Sequence, residues 1–289
     1  MCMQRTFVFF LVAMFTVVLG CEETLQVDDL PYEELLVIRG VLQAGDTVRT
    51  LHIGRTLPYQ EYYYGIANPA SEEPAGWVKD AEVHIVCEDK DFALHYTNEG
   101  SYANDSLIVE TGKKYFLTVE WNGKKSEACT LIPNEPTIDT AYISSATFVS
   151  RYPLRNFYGA DTIIESYKYT VKGSFHHSNN RVFGVTLAEE YESEFDPSKT
   201  FIGSLDYKVY RTEVLSGSVN YEAEAVRSSN PLFIVTVQSF DEPYFEYYNT
   251  GEKEVTLRAG SYAPVAWNVT GDGIGMFIGA SRSVSRQFK

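Results

Sequence analysis

Tyr115–Trp121, followed by Asn122-Gly123, constrains the fold of this chain more than any other stretch. Tyr115, Leu117, Val119 and Trp121 alternate with Phe116, Thr118 and Glu120. That period of two gives a strand one strongly apolar face. Asn-Gly is the preferred pair for a type I′ turn, whose two central residues need positive φ. The run therefore predicts a hairpin that returns along Lys125–Ile132. Tyrosine (21 residues), phenylalanine (17) and frequent valine, punctuated by turn residues, extend the β reading to the whole chain.

Further strands are expected at Leu35–Leu42, Val48–Arg55 and Ala81–Glu88 in the first part of the chain. Beyond Pro133 they are expected at Ile138–Phe148, Ile163–Phe175, Val182–Glu190, Tyr207–Leu215, Tyr221–Ala225, Leu232–Phe240, Glu254–Leu257 and Met276–Ser283. Pro133-Asn134-Glu135-Pro136 marks the expected domain boundary, because two prolines around polar residues cannot continue a central strand. One helix is predicted near 242–250. Asp241 suits its N-cap, Glu242 and Pro243 its first turn, and Asn249-Thr250-Gly251 its end. No repeat of 20–50 residues is evident.

Arg5 and the largely apolar run Phe7–Leu19 resemble a secretory signal peptide, the run being too short for a bilayer span of ~20 residues. Val18-Leu19-Gly20-Cys21 resembles a bacterial lipobox, in which cleavage leaves a lipidated Cys21 as the new N-terminus. The alternative is an ordinary signal peptide with a cysteine beside its cleavage site. Removing residues 1–20 of the 289 leaves 269 and takes away one basic residue and no acid, so the formal charge moves from −15 to −16. So acidic a surface disfavours nucleic acid and repels anionic headgroups. Attachment to a bilayer then falls to the acyl chains on Cys21. Cys87 and Cys129 lie in strand-like runs on the parity of Val83, Ile85 and Leu131. They are a candidate disulfide in an exported compartment, or else two buried free thiols.

No H-E-x-x-H, G-x-S-x-G or C-x-x-C is present, so no catalytic residue, metal ligand or cofactor is assigned. His84 is expected to face solvent, and the rings of His176 and His177 to point to opposite faces of a strand. Gly271-x-Gly273-x-Gly275 lacks the βαβ context of a nucleotide loop and reads as a tight turn or bulge. Glu88, Asp89, Asp91, Asn98, Glu99 and Asp105 match no calcium loop and read as a solvated acidic edge. The long loop Pro58–Trp77 carries the one aromatic cluster that suggests recognition: Tyr59, Tyr62, Tyr63, Tyr64 and Trp77. These rings suit a glycan, a peptide or a protein interface, or else fold back as a small core beneath the loop.

Three sets of residues together resemble one family. They are the lipobox with acidic Glu22-Glu23 and Asp28-Asp29; the pattern Asp80-Ala81-x-Val83-x-Ile85, Glu99-Gly100-x-Tyr102 and Gly112-Lys113-x-Tyr115-x-Leu117-x-Val119; and the ending Ala263-Pro264-Val265-x-x-Asn268-Val269-x-Gly271-x-Gly273-x-Gly275-x-Phe277. The chain resembles the DUF4249 lipoproteins of Bacteroidota over nearly its whole mature length. The resemblance implies a cell-envelope role in uptake or binding beside TonB-dependent outer-membrane receptors. It also implies surface export through the acidic residues after Cys21. Asp46-Thr47-Val48, Asp105-Ser106-Leu107, Asp139-Thr140-Ala141 and Asp161-Thr162-Ile163 resemble the O-glycosylation sequence of these bacteria.

The expected organisation is a signal peptide (1–20), an acidic tether (21–32), an Ig-like or transthyretin-like β-sandwich (33–133) and a larger antiparallel β domain, sandwich or barrel-like, with one short helix (134–289). The expected function is non-enzymatic: a lipid-anchored binding or accessory component of the outer membrane, with an outer-membrane receptor as partner. The competing readings are an envelope hydrolase whose carboxylates converge only in the fold, and a purely structural or adhesion protein.

Overall fold

The computed structural model describes residues 32–58, 76–155, 161–192, 200–228, 231–254, 265–284 and 288. In chain order the elements are β1 (Leu36–Gln43), β2 (Thr47–Arg55), β3 (Glu82–Cys87), β4 (Lys90–Tyr96), β5 (Ser101–Ile108), β6 (Lys114–Trp121), β7 (Lys124–Leu131), β8 (Thr137–Arg155), β9 (Asp161–Ser178), β10 (Val182–Glu192), β11 (Thr200–Arg211), β12 (Ser216–Ser228), β13 (Phe233–Phe240), α1 (Glu242–Glu254), β14 (Thr270–Gly271) and β15 (Gly273–Val284). The protein is thus all-β with one helix among the described residues, its sheets forming a sandwich without a closed barrel. That helix is not long and apolar enough to cross a membrane.

The β6–β7 hairpin forms as its sequence predicts. Trp121 pairs with Lys124 across Asn122 (φ +50°) and Gly123 (φ +75°). Tyr115, Leu117 and Val119 are buried, while Phe116 on the other face is exposed. The strands β4 and β5 carry no comparable alternation and were not expected. They close the sheet because β4 pairs with both β3 and β5.

Twelve strands form one sheet in the order β11-β10-β13-β15-β1-β2-β5-β4-β3-β6-β7-β14, and β12-β9-β8 form a second. Every pairing is antiparallel except β1 with β15, which runs parallel from Leu36↔Gly273 to Gln43↔Ala280. Beneath the first half of the large sheet, Leu36, Ile38, Leu51, Ile53, Val83, Ile85, Leu117 and Val119 make one apolar core. Val171, Phe175, Phe183, Val185, Phe233 and Val237 make another, between the three-stranded sheet and β10–β13. Each fully buried side chain of this size contributes about 1.5–3 kcal/mol.

Pro133–Pro136 leads from the first core to the second, but β15 ties them together: Phe277 belongs to the first core, while Met276, Ile278 and Ala280 pack with Val182 of β10 and Phe240 of β13 in a third cluster. β15 pairs with β13 on one side and β1 on the other. The segment around it returns Val269 and Phe277 to the first core. The glycine-rich ending makes this possible. Gly275 has φ +133°, and a Cβ there would stand 1.9 Å from the Ile38 carbonyl oxygen. Asn268 clasps the neighbouring strand: its Nδ2 donates to the Phe277 carbonyl at 2.6 Å, and its Oδ1 accepts from the Phe277 amide at 2.8 Å.

Buried tyrosines pin the loops at the rim of the first core. The Tyr102 hydroxyl donates to the Val78 carbonyl and accepts from the Ala81 amide, both at 3.0 Å. The Tyr115 hydroxyl accepts from the Glu110 amide at 2.8 Å. On the second unit, α1 docks through rings: Tyr244 stacks on Phe240 at 4.0 Å and its hydroxyl meets that of Tyr207 at 2.8 Å.

Candidate functional site

A cleft of about 470 Å³ opens where the two cores meet. β6 and β7 supply Lys114 and Cys129–Leu131, with Pro133 just beyond. The β9–β10 turn supplies Asn179–Arg181, the β11–β12 turn Leu215, and the start of α1 Asp241, Glu242 and Pro243. Its volume falls within the range of small-molecule sites.

Asp241 sits at the base of the cleft and is 7% exposed. Its backbone explains its position. The amide donates to the Gly279 carbonyl, and the carbonyl accepts the Tyr244 amide to start the helix. The Thr130 hydroxyl, reaching across from β7, donates to Oδ2. The other oxygen, Oδ1, is buried and meets no hydrogen bond of good geometry. Burial pushes the Asp241 carboxyl up to about 7 against the lowering pull of Thr130. This residue starts the helix with its backbone and ties it to β7 and β15.

Arg181 is held at the turn by its carbonyl, which accepts the Thr212 amide at 2.9 Å. Its side chain is half-buried, its Nε is buried without a partner, and it joins no ion pair among the described residues. Glu242, although on the same cleft, is bound by Arg211. Lys114 holds its ammonium 4.9 Å from the centre of the Phe116 ring, a cation–π contact in place of an acid. Leu131, Pro133, Leu215 and Pro243 form apolar walls. Behind the β9–β10 turn His177 is 1% exposed, and burial holds its imidazole below the ordinary range, hence neutral.

The cleft does not gather the residues that sequence singled out. Cys21, Tyr59, Tyr62, Tyr63 and Tyr64 lie outside the described residues. Trp77 is half-buried at the foot of that loop, pairing with Gly54. Its ring covers Gly100, where φ is +74° and a Cβ would stand 2.1 Å from the indole. The ring also tilts against His52 at 6.1 Å. Trp77 therefore packs rather than presents a free face.

The shared parity expected of Cys87 and Cys129 is overturned. Both thiols are free, Cys87 buried and Cys129 exposed. Cys87 opposes buried Tyr115 on β6, whereas Cys129 opposes exposed Phe116. The β7 residues facing the core are Ser126, Ala128 and Thr130, followed on the same parity by Ile132, with Leu131 48% exposed. The two cysteines thus lie on opposite faces, two strands apart. At ~4.8 Å per strand that exceeds the ~7 Å Cα separation a disulfide tolerates.

The other motifs are absorbed by structure. His84 is bound by Asp91 at 2.9 Å and lies 3.3 Å from Glu82, contacts that raise its pKa. Glu88 meets Lys113, and Asp105 meets Arg49 at 3.0 Å, so these acids are neutralised separately rather than gathered around a cation. His176 is exposed and His177 buried, on opposite faces as their spacing implies. The cleft's two carboxylates, Asp241 and Glu242, are consecutive, and Glu242 is engaged by Arg211, unlike the facing pair that a glycosidase needs. Asp241 was legible in the sequence as a cap. Arg181 was not, because nothing local marks a turn arginine that will face a distant strand.

A comparison with protein families matches residues 22–286 to one of them, described as a domain of unknown function (DUF4249). No curated protein matches the chain.

Proposed function

The chain belongs to the DUF4249 family, and on that premise we propose that it is a lipid-anchored binding or accessory protein of the outer membrane, acting beside a TonB-dependent receptor. The observation that carries the binding role is the cleft between the two cores. In a chain of formal charge −15, Arg181 and Lys114 line one apolar hollow and neither meets an acid there. Cations left free of acids beside apolar walls are the composition of a ligand site. The lipobox-like Leu19-Gly20-Cys21 supports the anchor, and the family resemblance to bacterial lipoproteins supports the compartment. A glycan, peptide or small ligand handed to, or received from, a receptor fits this arrangement.

The test is anchoring and partnership in the native membrane. Cys21→Ala is expected to abolish palmitate labelling and to release the protein from the outer-membrane fraction. The wild type is expected to retain a TonB-dependent receptor in a pull-down from solubilised outer membrane. Persistent labelling of the alanine variant, or a wild type recovered with no receptor, overturns the reading.

A further inference from the structure

We propose that the cleft binds an amphipathic organic anion, a single carboxylate on an apolar body, with Arg181 as its anion-binding residue. This deepens the binding role proposed above and rests on it.

The first argument is the state of Arg181. A guanidinium half-removed from water loses hydration that an acid normally replaces. Arg227 shows the usual solution in this protein, bound to Glu189 at 2.5 Å. Arg211 shows it too, bound to Glu242 and Glu246. Arg181 lines the cleft, pairs with no acid among the described residues, and has its Nε buried without a partner. An acceptor that enters the cleft therefore meets the Nη groups, which are not buried with the Nε. A guanidinium offers paired donors in a plane that a carboxylate matches with both oxygens.

The second argument is the remaining lining. Leu131, Leu215, Pro133 and Pro243 provide no hydrogen bonds and reward an apolar body with burial. One guanidinium and one ammonium suit a single charge. A polyphosphate would demand more cations and a cradle of backbone amides. Below pH 7 Asp241 is mostly uncharged, since burial favours its protonated form. A cavity of about 470 Å³ accommodates a medium-chain or aromatic acid but not a folded partner.

Octanoate is the probe. The full chain carrying Cys21→Ala, which cannot be acylated, is titrated with octanoate by calorimetry, with 1-octanol as the uncharged comparison. One octanoate per chain is expected, with 1-octanol bound roughly tenfold more weakly or worse. Arg181→Gln, which keeps planar donors without the charge, is expected to weaken octanoate about tenfold or more at an unchanged melting temperature. Should that variant fail to fold, Lys114→Gln on the exposed rim is expected to weaken binding several-fold in a folded protein. No saturable heat from the parent chain overturns the proposal, as does undiminished affinity in folded Arg181→Gln, or in Lys114→Gln where it stands in. Absence of octanoate binding in a wild type that still captures its receptor overturns the ligand class alone. Octanoate binding in a protein found neither acylated nor receptor-bound overturns the accessory role alone.

Discussion

Asp241 is a buried carboxyl whose effect on stability depends on pH. Its carboxyl stands at about 7 in the folded protein, against an ordinary value of 3.8. Between those values the folded state holds a proton that the unfolded state has lost. Stability therefore falls as pH rises from about 4 towards 7, and the loss is complete above the folded value. The shift corresponds to at most ~4 kcal/mol at 1.36 kcal/mol per pKa unit. Asp241→Asn leaves the backbone start of the helix intact and keeps a partner for Thr130 without a charge to bury. The variant is expected to be more stable than the wild type at pH 8 and nearly equal at pH 4. Urea denaturation across that range measures the difference, which removes the contribution of His84 and other titrating groups. A constant difference at every pH would show that Asp241 does not change charge there.

Among the elements, β15 has the narrowest tolerance. It is flanked by β1 and β13, and its close approach to β1 requires a residue without a Cβ at Gly275. Gly275→Ala combines an unfavourable φ with a 1.9 Å encounter against the Ile38 carbonyl, which is backbone and cannot rotate away. The expected cost is about 3 kcal/mol or more, seen as a lowered urea midpoint. Gly112→Ala is the comparison: φ is +75° there, but a Cβ would meet nothing within 4 Å. It should cost only the backbone strain, about 1 kcal/mol. Equal losses in the two variants would mean that the β1–β15 contact relaxes at little cost.

At the scale of the whole molecule, β15 between β1 and β13 leads to the expectation that the two cores unfold as one cooperative unit. Residues 33–133 contain β1 to β7 but lack Val269, Phe277 and the parallel partner of β1. Expressed alone, that fragment leaves the β15-facing edge of β1 unpaired and part of its core uncovered. It is expected to lack the cooperative thermal transition of the full chain and to show weak amide protection in β1 and β2. The full chain is expected to unfold in one calorimetric transition. Two separated transitions, the first reproduced by the fragment, would establish independent units.

Short-range patterns in the chain were sufficient for the β class, the Asn122-Gly123 hairpin and the start of α1 at Asp241. Each depends on residues a few positions apart, where alternation, turn chemistry and capping act locally. Tertiary structure alone decided the rest. β4 and β5 exist because neighbours complete their ladders. The facing of Cys129 followed from which side of β7 the core came to occupy, since β7 sets Ser126, Ala128 and Thr130 on one side against Glu127, Cys129 and Leu131 on the other, with little hydrophobic contrast. The parallel pairing of β1 with β15 joins residues more than 200 positions apart, and a contact of that span leaves no periodic trace in either partner. The cleft is the extreme case. Its lining is drawn from β6, β7 and four connections, and Arg181 became a site only when the fold set Lys114 and Asp241 around the same hollow.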